Sequence, residues 1–221
     1  MPVSRIQTFG EANAGLTQSR SNEPNAQDSV ASAPVLNARE AAPADYYQVN
    51  FIEVFEYVLA AYEHVLPTKL AQSLHNYLQA DDDAQRLFAR LLTRKGPVFL
   101  EQSLSYAEVG DTTRALESLA AYGLIRRNPA VPADRLLHTL KKWALLDYFV
   151  AAAGYPKNWA KERVSEHILA VHTDRRIRQI VSDHIVWFSL SSQSHWRLVQ
   201  LLYFGQSNKD WSAHIRRDLG H

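Results

Sequence analysis

The first patterned stretch of the chain has apolar residues at every third or fourth position, which is the period of an amphipathic helix. This stripe begins at Tyr47 and ends at Val65. Pro67 then ends the helix, and a second helix is predicted directly after it. The carboxylates of Asp81 to Asp83 suit the N-terminal end of a third helix, because the positive end of the helix dipole stabilises negative charge.

The third helix is predicted from about Ala84 to Lys95 and separates apolar from basic residues. Leucine and phenylalanine occupy one side, whereas arginines recur every four residues on another face. We call these arginines and the adjacent lysine the basic ridge, and its members are Arg86, Arg90, Arg94 and Lys95. An ordinary amphipathic helix displays a similar solvated face, so the spacing alone leaves a structural and a functional interpretation open.

A short strand at residues 98–100 follows the third helix, and a loop carries Tyr106. Thr112 or Thr113 is predicted to cap a fourth helix, since hydroxyl side chains bond the free amides of a first turn. Gly123 suits the left-handed position beyond the last turn of that helix.

A second strand begins at Leu124 and has a basic tip formed by Arg126 and Arg127. Helix, strand, helix and basic strand follow one another in the order of a winged helix-turn-helix variant. Farther along, helical patterns run over about 135–153, 161–170 and 196–204.

The amino-acid composition limits the class of protein and the kinds of site that the chain can form. Hydrophobic residues make up 46% and charged residues 21% of the 221 residues, which is typical of a globular protein. The chain has no cysteine, so disulfides, thiolate catalysis and cysteine-based zinc sites are excluded. No apolar stretch suits a signal peptide or a membrane span. We expect a cytoplasmic protein without a membrane partner, associated with the nucleoid if its source is bacterial.

Charge is segregated along the chain. Residues 45–83 contain one base against seven acids, whereas residues 84–142 contain ten bases against five acids. A local positive field on a protein whose net charge is only +1 is what phosphate binding requires.

Catalytic and metal-binding motifs are missing from the sequence. The nine histidines include no HExxH pair, and there is no G-x-S-x-G elbow or glycine-rich phosphate loop. Metal-dependent nucleases of the restriction type place Glu-x-Lys on a strand, and no predicted strand carries it. We therefore predict no catalytic residue, no metal ligand and no cofactor in this chain.

Several short motifs, taken in order, resemble the N-terminal region of the bacterial Fanconi-associated nuclease family. Members of that family carry YYxxNF, VRLLMRKGPLF and YPEIGD in this order, followed by a block that opens a helical-repeat region. The matching motifs here are YYQVNF at 46–51, LFARLLTRKGP at 87–97, SYAEVGD at 105–111, LYFGQSNKDW at 202–211 and RDLG at 217–220.

The resemblance implies a DNA-binding region, because the family's members are structure-specific nucleases that act on 5′ flaps and crosslinked DNA. In the family, a SAP-like module of winged-helix type and helical repeats precede a virus-type replication-repair nuclease domain that uses Mg²⁺ or Mn²⁺. This chain stops at His221, before most of the repeats and before that domain. We therefore expect DNA binding without catalysis.

The expected fold is mainly α with small β content. Trp196, Tyr203 and Trp211 are expected to be exposed, because the repeats that cover them in relatives do not follow. The expected units are a disordered tail at 1–44, a helical and winged-helix-like DNA-binding domain at 45–130, a SAP-like helical segment at 131–173, and a truncated start of the helical-repeat region at 174–221.

The resemblance also supports particular residues. Arg90 and Lys95 match basic positions of the family that contact DNA phosphates, and Tyr46 and Tyr106 match aromatic positions that approach the junction. Core packing with a satisfied hydroxyl is the alternative for both tyrosines. The full predicted DNA-binding set is Arg86, Arg90, Arg94, Lys95, Tyr46, Tyr106, Arg126, Arg127, Lys141 and Lys142, of which the last two are equally plausible as solvated lysines.

The function predicted from the sequence is binding of flapped or branched DNA as the N-terminal part of a repair nuclease. Two alternatives stay open. One is a protein-interaction module, in which the acidic helices dock a basic partner or cover the basic ridge, or in which the C-terminal region mediates a dimer. The other is a fragment of a nuclease whose active site lies downstream.

Overall fold

The computed structural model describes residues 45–149, 158–205 and Trp211, which form helices packed around a small sheet. The predicted tail at 1–44 and the predicted elements at 150–157 lie outside the described residues. The helices are α1 (Tyr46–Tyr62), α2 (Thr68–Gln79), α3 (Asp82–Thr93), α4 (Thr112–Ala121), α5 (Ala133–Thr139), α6 (Lys142–Phe149), α7 (Lys161–Val171), α8 (Asp174–Ser182) and α9 (Gln193–Phe204), with 3-10 turns at Glu63–Val65 and Glu101–Ser103. The strands are β1 (Phe99–Leu100), β2 (Ile125–Arg127) and β3 (Trp187–Leu190). The predicted mainly α class with small β content is confirmed.

The sheet has the order β1-β3-β2, and β3 is antiparallel to both neighbours. β1 and β2 were predicted, whereas the central strand was not, because four residues in a mixed apolar segment show no distinct period. Neighbouring side chains of a strand point to opposite faces. Trp187 accordingly lies in one core and Phe188 in the other, so the sheet separates two hydrophobic clusters.

The first core joins α1–α4 to α9. Phe55 of α1 stacks on Trp196 of α9 with ring centroids 5.7 Å apart, and Phe51 contacts Trp211 at 4.8 Å. Trp196 and Trp211 are only 4% and 6% exposed. The expectation that these indoles are exposed is wrong, because α9 folds back onto α1 and places Trp196 in the core. Tyr203 is half-buried and packs edge-to-face on Tyr57.

The second core is formed by α5–α8 under the other face of the sheet. The single helix predicted over 135–153 is wrong, because the chain is extended at Leu140 (ψ 150°) and divides into α5 and α6. Leu140 is itself buried, so the break lets both short helices face one cluster. The two cores also cross the predicted boundaries at 130 and 173, since α8 packs in the second core and α9 in the first.

Helix α4 ends as the sequence predicts. Gly123 has φ +69°, a conformation that costs little only for glycine. The amide of Gly123 bonds the Ala120 carbonyl at 3.0 Å, and the amide of Leu124 bonds the Leu119 carbonyl at 2.9 Å. These two bonds form a Schellman motif and direct the chain into β2. In the part of the chain that the structure describes, no helix is long and apolar enough to cross a membrane.

Candidate functional site

Helix α3 begins at an aspartate that bonds two neighbouring elements. The Asp81 carboxylate accepts from the Ala84 amide at 3.0 Å, which confirms the predicted cap, and from Ser118 Oγ of α4 at 2.6 Å. Partial burial alone raises the pKa of Asp81, but the bonds from Ser118 and Ala84, together with the positive charge of Arg114, hold the pKa below its ordinary value. Asp81 is therefore an ionised structural contact.

Asp83, in the first turn of α3, ties this helix to the loop before α4. Asp83 Oδ2 accepts from the amides of Gly110 and Asp111 at 3.1 and 3.2 Å. A Cβ on Gly110 would lie 3.0 Å from that oxygen, so the close approach favours glycine. Asp111 then caps α4 by accepting from the Arg114 amide at 3.0 Å, so the prediction that Thr112 or Thr113 caps it is wrong.

Arg86 is held within the acidic end of α3. Its Nε donates to Gln48 Oε1 of α1 at 3.0 Å, and its Nη atoms pair with Asp83 at 3.3 Å and Asp82 at 3.7 Å. The side chain is only 27% exposed. Arg86 therefore contributes to the packing of α1 on α3, and two carboxylates neutralise its charge.

Arg90, one turn later in α3, is also paired with a carboxylate. Its Nε donates to the carboxylate of Glu108, whose side chain is 9% exposed. The guanidinium also lies 3.8 Å above the ring of Tyr47 and 5.6 Å from the ring of Tyr106. A guanidinium bonded to a half-buried carboxylate and covered by an aromatic face holds the loop and α1 against α3. Tyr46 is half-buried beside this cluster, with its ring edge-to-face on Tyr47.

Arg94 and Lys95 lie beyond the last turn of α3, because the helix ends at Thr93 and Arg94 has an extended backbone. Both are exposed. Arg94 Nη1 donates to the Tyr106 hydroxyl at 3.2 Å and, at 3.4 Å, to the Ser103 carbonyl. The prediction that Arg94 shares one helical face with Arg86 and Arg90 is therefore wrong, because α3 ends before Arg94. Acids hold Arg86 and Arg90, and only the C-terminal pair of the basic ridge stands in solvent.

Beside this pair lies a cavity of about 480 Å³ that we call the basic groove. It runs between the end of α3, β1 and the start of α6. Lys141 and the exposed Trp143 also line it, and none of its described lining residues carries a carboxylate. Its polar and aromatic lining consists of Arg94, Lys95, Lys141, Trp143, Phe99, Gln102, Ser103 and Thr139. Lys142, predicted alongside Lys141, is half-buried and does not line this groove.

A second cavity, of about 320 Å³, shares Arg94 with the basic groove and adds two arginines that the sequence interpretation missed. Arg135 comes from α5 and Arg197 from α9, and Gln193 lies with them. We call this cavity the arginine pocket. No periodic signal joins residues on separate helices, and the tertiary fold brings Arg135 and Arg197 to one cavity.

Arg126 and Arg127 are exposed on β2, as predicted, but they lie away from the basic groove. β1 borders the groove, and β2 forms the opposite edge of the sheet. Arg126 instead lines a cavity of about 500 Å³ with Lys69 and His195. The predicted site residues thus form at least two separate basic surfaces.

Among the described residues, no group of three histidine, aspartate or glutamate side chains is arranged to hold a metal ion. The candidate site is therefore an arrangement of cations, hydrogen-bond donors and aromatic rings. Such a surface has the chemistry that suits anions and flat rings.

The sequence of this chain is similar to a known family model and to several known proteins. Residues 45–126 match a family model described as "FAN1, HTH domain". A Fanconi-associated nuclease 1 homolog of Pseudomonas aeruginosa is 29% identical over 177 residues, which are 79% of this chain and 32% of that protein. The Arabidopsis thaliana homolog is 38% identical over 79 residues, which are 36% of this chain and 9% of that protein.

A solved structure shows the same fold. The crystal structure of paFAN1 bound to 5′ flap DNA with a 2-nucleotide flap and a gap matches with a TM-score of 0.73 and 28% identity. The match covers 82% of this chain and 34% of that one. This chain therefore spans about a third of the length of the bacterial relatives that it matches.

Proposed function

Because this chain carries the N-terminal region of a bacterial-type Fanconi-associated nuclease, we propose that it binds DNA through the exposed cations at the C-terminal end of α3. The related paFAN1 was solved with flap DNA bound, which supports DNA as the ligand. The observation that carries the proposal is the basic groove, where Arg94, Lys95 and Lys141 face one cavity whose described lining has no carboxylate.

Binding is electrostatic in this proposal. Each lysine or arginine that neutralises a phosphate releases condensed counterions, and this release drives association. Arg94 is positioned for this role because the Tyr106 hydroxyl and the Ser103 carbonyl orient its guanidinium. Tyr106 thus acts through Arg94 in this scheme.

We further propose that the ligand is flapped or branched DNA. Phosphate contacts carry little sequence information, so selectivity must come from the shape of the DNA. The basic groove and β2 lie at opposite edges of the sheet, which suits two duplex arms that leave a junction in different directions. Arg126 and Arg127 would contact the second arm.

The family's cleavage chemistry, which uses Mg²⁺ or Mn²⁺, does not fit the residues described here. They contain no cluster of histidine and carboxylate side chains that could hold such an ion. We therefore propose that this region binds and positions DNA, and no step of the proposed function passes through a metal.

The proposal is tested by fluorescence anisotropy with a gapped 5′-flap DNA and a blunt duplex of equal length. Three phosphate contacts, one for each groove cation, give a slope of about −3 for log affinity on duplex against log salt concentration. We expect that slope, with tighter binding to the flap. Affinity that does not change with salt would contradict electrostatic binding, and equal affinities for the two DNAs would contradict selection by shape.

A further inference from the structure

We propose that the basic groove is a binding site for an unpaired nucleotide, whose base stacks on Trp143 while its phosphate contacts the surrounding cations. This inference rests on the proposed DNA-binding function and adds a ligand class to one part of it. Paired bases inside a duplex are already stacked on one another, so an aromatic side chain in the groove can stack only on a base that has left the helix.

The exposure of Trp143 is the first observation. Its side chain is 57% exposed, whereas Trp187, Trp196 and Trp211 are at most 6% exposed. Tryptophan is highly buried on average, so an indole that is more than half exposed and lines a cavity differs from the three buried tryptophans of this chain. Trp143 is also the largest of the exposed hydrophobic side chains among the described residues.

The support beneath Trp143 is the second observation. Its ring contacts the ring of Tyr148 with centroids 6.3 Å apart and planes at 77°. Tyr148 in turn stacks on the His184 ring at 4.2 Å, with planes only 2° apart. A crossed contact does not cover Trp143 as a parallel stack would, so the indole is braced from one side while more than half of it stays in solvent.

The neighbours of Trp143 in the groove are the third observation. Arg94, Lys95 and Lys141 supply positive charge for a phosphate, and Gln102 and Thr139 supply neutral hydrogen-bonding groups for a base edge. The cavity of about 480 Å³ lies within the range of roughly 300–1,000 Å³ that small-ligand sites occupy.

These features together select one ligand chemistry. Sites for single-stranded nucleic acid combine a positive groove with an aromatic ring, because every base has a π face and every nucleotide carries a phosphate. An acidic peptide would use the cations and leave the indole unused, and an apolar partner would be opposed by three cations. An unpaired nucleotide uses both.

The test replaces Trp143→Leu, which keeps apolar bulk and removes the aromatic face, and Trp143→Phe, which keeps a smaller face. Affinity is measured for three DNAs, namely oligothymidylate, a gapped 5′ flap and a blunt duplex. We expect Trp143→Leu to weaken oligothymidylate and gapped-flap binding about tenfold and duplex binding less than about twofold, with Trp143→Phe in between. Tyr57→Leu is the matched control, since Tyr57 is a 48% exposed aromatic residue on α1, and we expect it to change none of the three affinities.

A second readout measures base stacking directly, in the unaltered chain and in Trp143→Leu. A fluorescent 2-aminopurine placed as the unpaired base is expected to lose fluorescence on binding, and the loss is expected to disappear with Trp143→Leu. Unchanged affinity for unpaired DNA in Trp143→Leu would overturn the inference and leave duplex binding, and thus the proposed function, intact. An equal loss on all three DNAs would also overturn it, because stacking on unpaired bases cannot weaken a blunt duplex. Salt-independent duplex binding by the unaltered chain would instead contradict the proposed function.

Discussion

The two ends of helix α3 use charged side chains in opposite ways. At the N-terminal end, Asp81 and Asp83 accept from backbone amides, and Asp81 also accepts from Ser118 of α4. Asp83 shares Arg86 with Asp82. At the C-terminal end, Arg94 and Lys95 stand in solvent beside a cavity without a carboxylate among its described lining residues. The contrast teaches that the tertiary neighbours of a cation, more than its spacing along a helix, decide whether it can meet a ligand.

The helix dipole favours both arrangements. Negative charge is stabilised near the amides of the first turn, and positive charge near the carbonyls of the last. At the N-terminal end the acids also find donors in the loop and in α4, which makes that end structural. At the C-terminal end the helix ends at Thr93, and the extended chain carries Arg94 and Lys95 away from the acids.

The largest expected effect is a loss of DNA affinity when the charges of two groove lysines are reversed. Lys95→Glu with Lys141→Glu places two negative charges in the basic groove, and we expect duplex affinity to fall on the order of 100-fold at about 0.1 M salt. Unfolding in urea should be nearly unchanged, because both lysines are exposed. Arg175→Glu with Arg176→Glu makes the same charge change on α8. We expect this control to bind duplex several-fold more tightly than the groove variant. Equal affinities of the two variants would mean that net charge alone causes the loss.

The next effect is a loss of stability at Arg90. Arg90→Ala leaves the Glu108 carboxylate, which is 9% exposed, without its partner. We expect the free energy of unfolding to fall by about 2 kcal/mol, less than for a fully buried pair because Arg90 is 27% exposed. Urea titration of Arg90→Ala, Glu108→Gln and the double variant gives the coupling between the two residues. If Arg90→Ala leaves stability unchanged but greatly weakens DNA binding, Arg90 contacts phosphate and its structural role is contradicted.

The smallest expected effect is a pH dependence at Asp81. Its pKa in the folded chain is below the ordinary value of 3.8, so its stabilising contribution is complete above about pH 4. That contribution is lost as the pH falls through the folded pKa. We expect the free energy of unfolding to decline below pH 4 by less than about 1 kcal/mol, because Asp81 is exposed and solvent screens its charge. Asp81→Asn should flatten the decline between pH 4 and pH 2, and an identical pH profile for the two proteins would remove Asp81 as its source.

Local signals made the first half of the fold predictable. Pro67 and the cap at Asp81 mark helix ends by covalent geometry and by bonds within one turn, and Gly123 marks the end of α4 through its positive φ. None of these needs a distant partner. Each therefore leaves a mark in a few consecutive residues.

The features that the sequence did not reveal depend on distant contacts. β3 exists because β1 and β2 pair with it, and Trp196 is buried because α9 returns to α1. The capture of Arg90 by Glu108 joins a helix to a loop. The position of Trp143 beside Lys95 needs α6 to pack near the end of α3. Sequence periodicity carries no information about contacts between distant residues. The four cations of the basic ridge therefore could not be distinguished from the sequence.

The contrast between the two ends of α3 is tested most directly by the salt dependence of duplex binding in two single variants. We predict that Lys95→Gln reduces the steepness of the log–log slope by about 1, which is one lost phosphate contact. Arg86→Gln, at the acidic end, is predicted to leave the slope unchanged at a temperature where both proteins are folded. A slope that falls with Arg86→Gln and holds with Lys95→Gln would contradict this assignment of the DNA-binding surface.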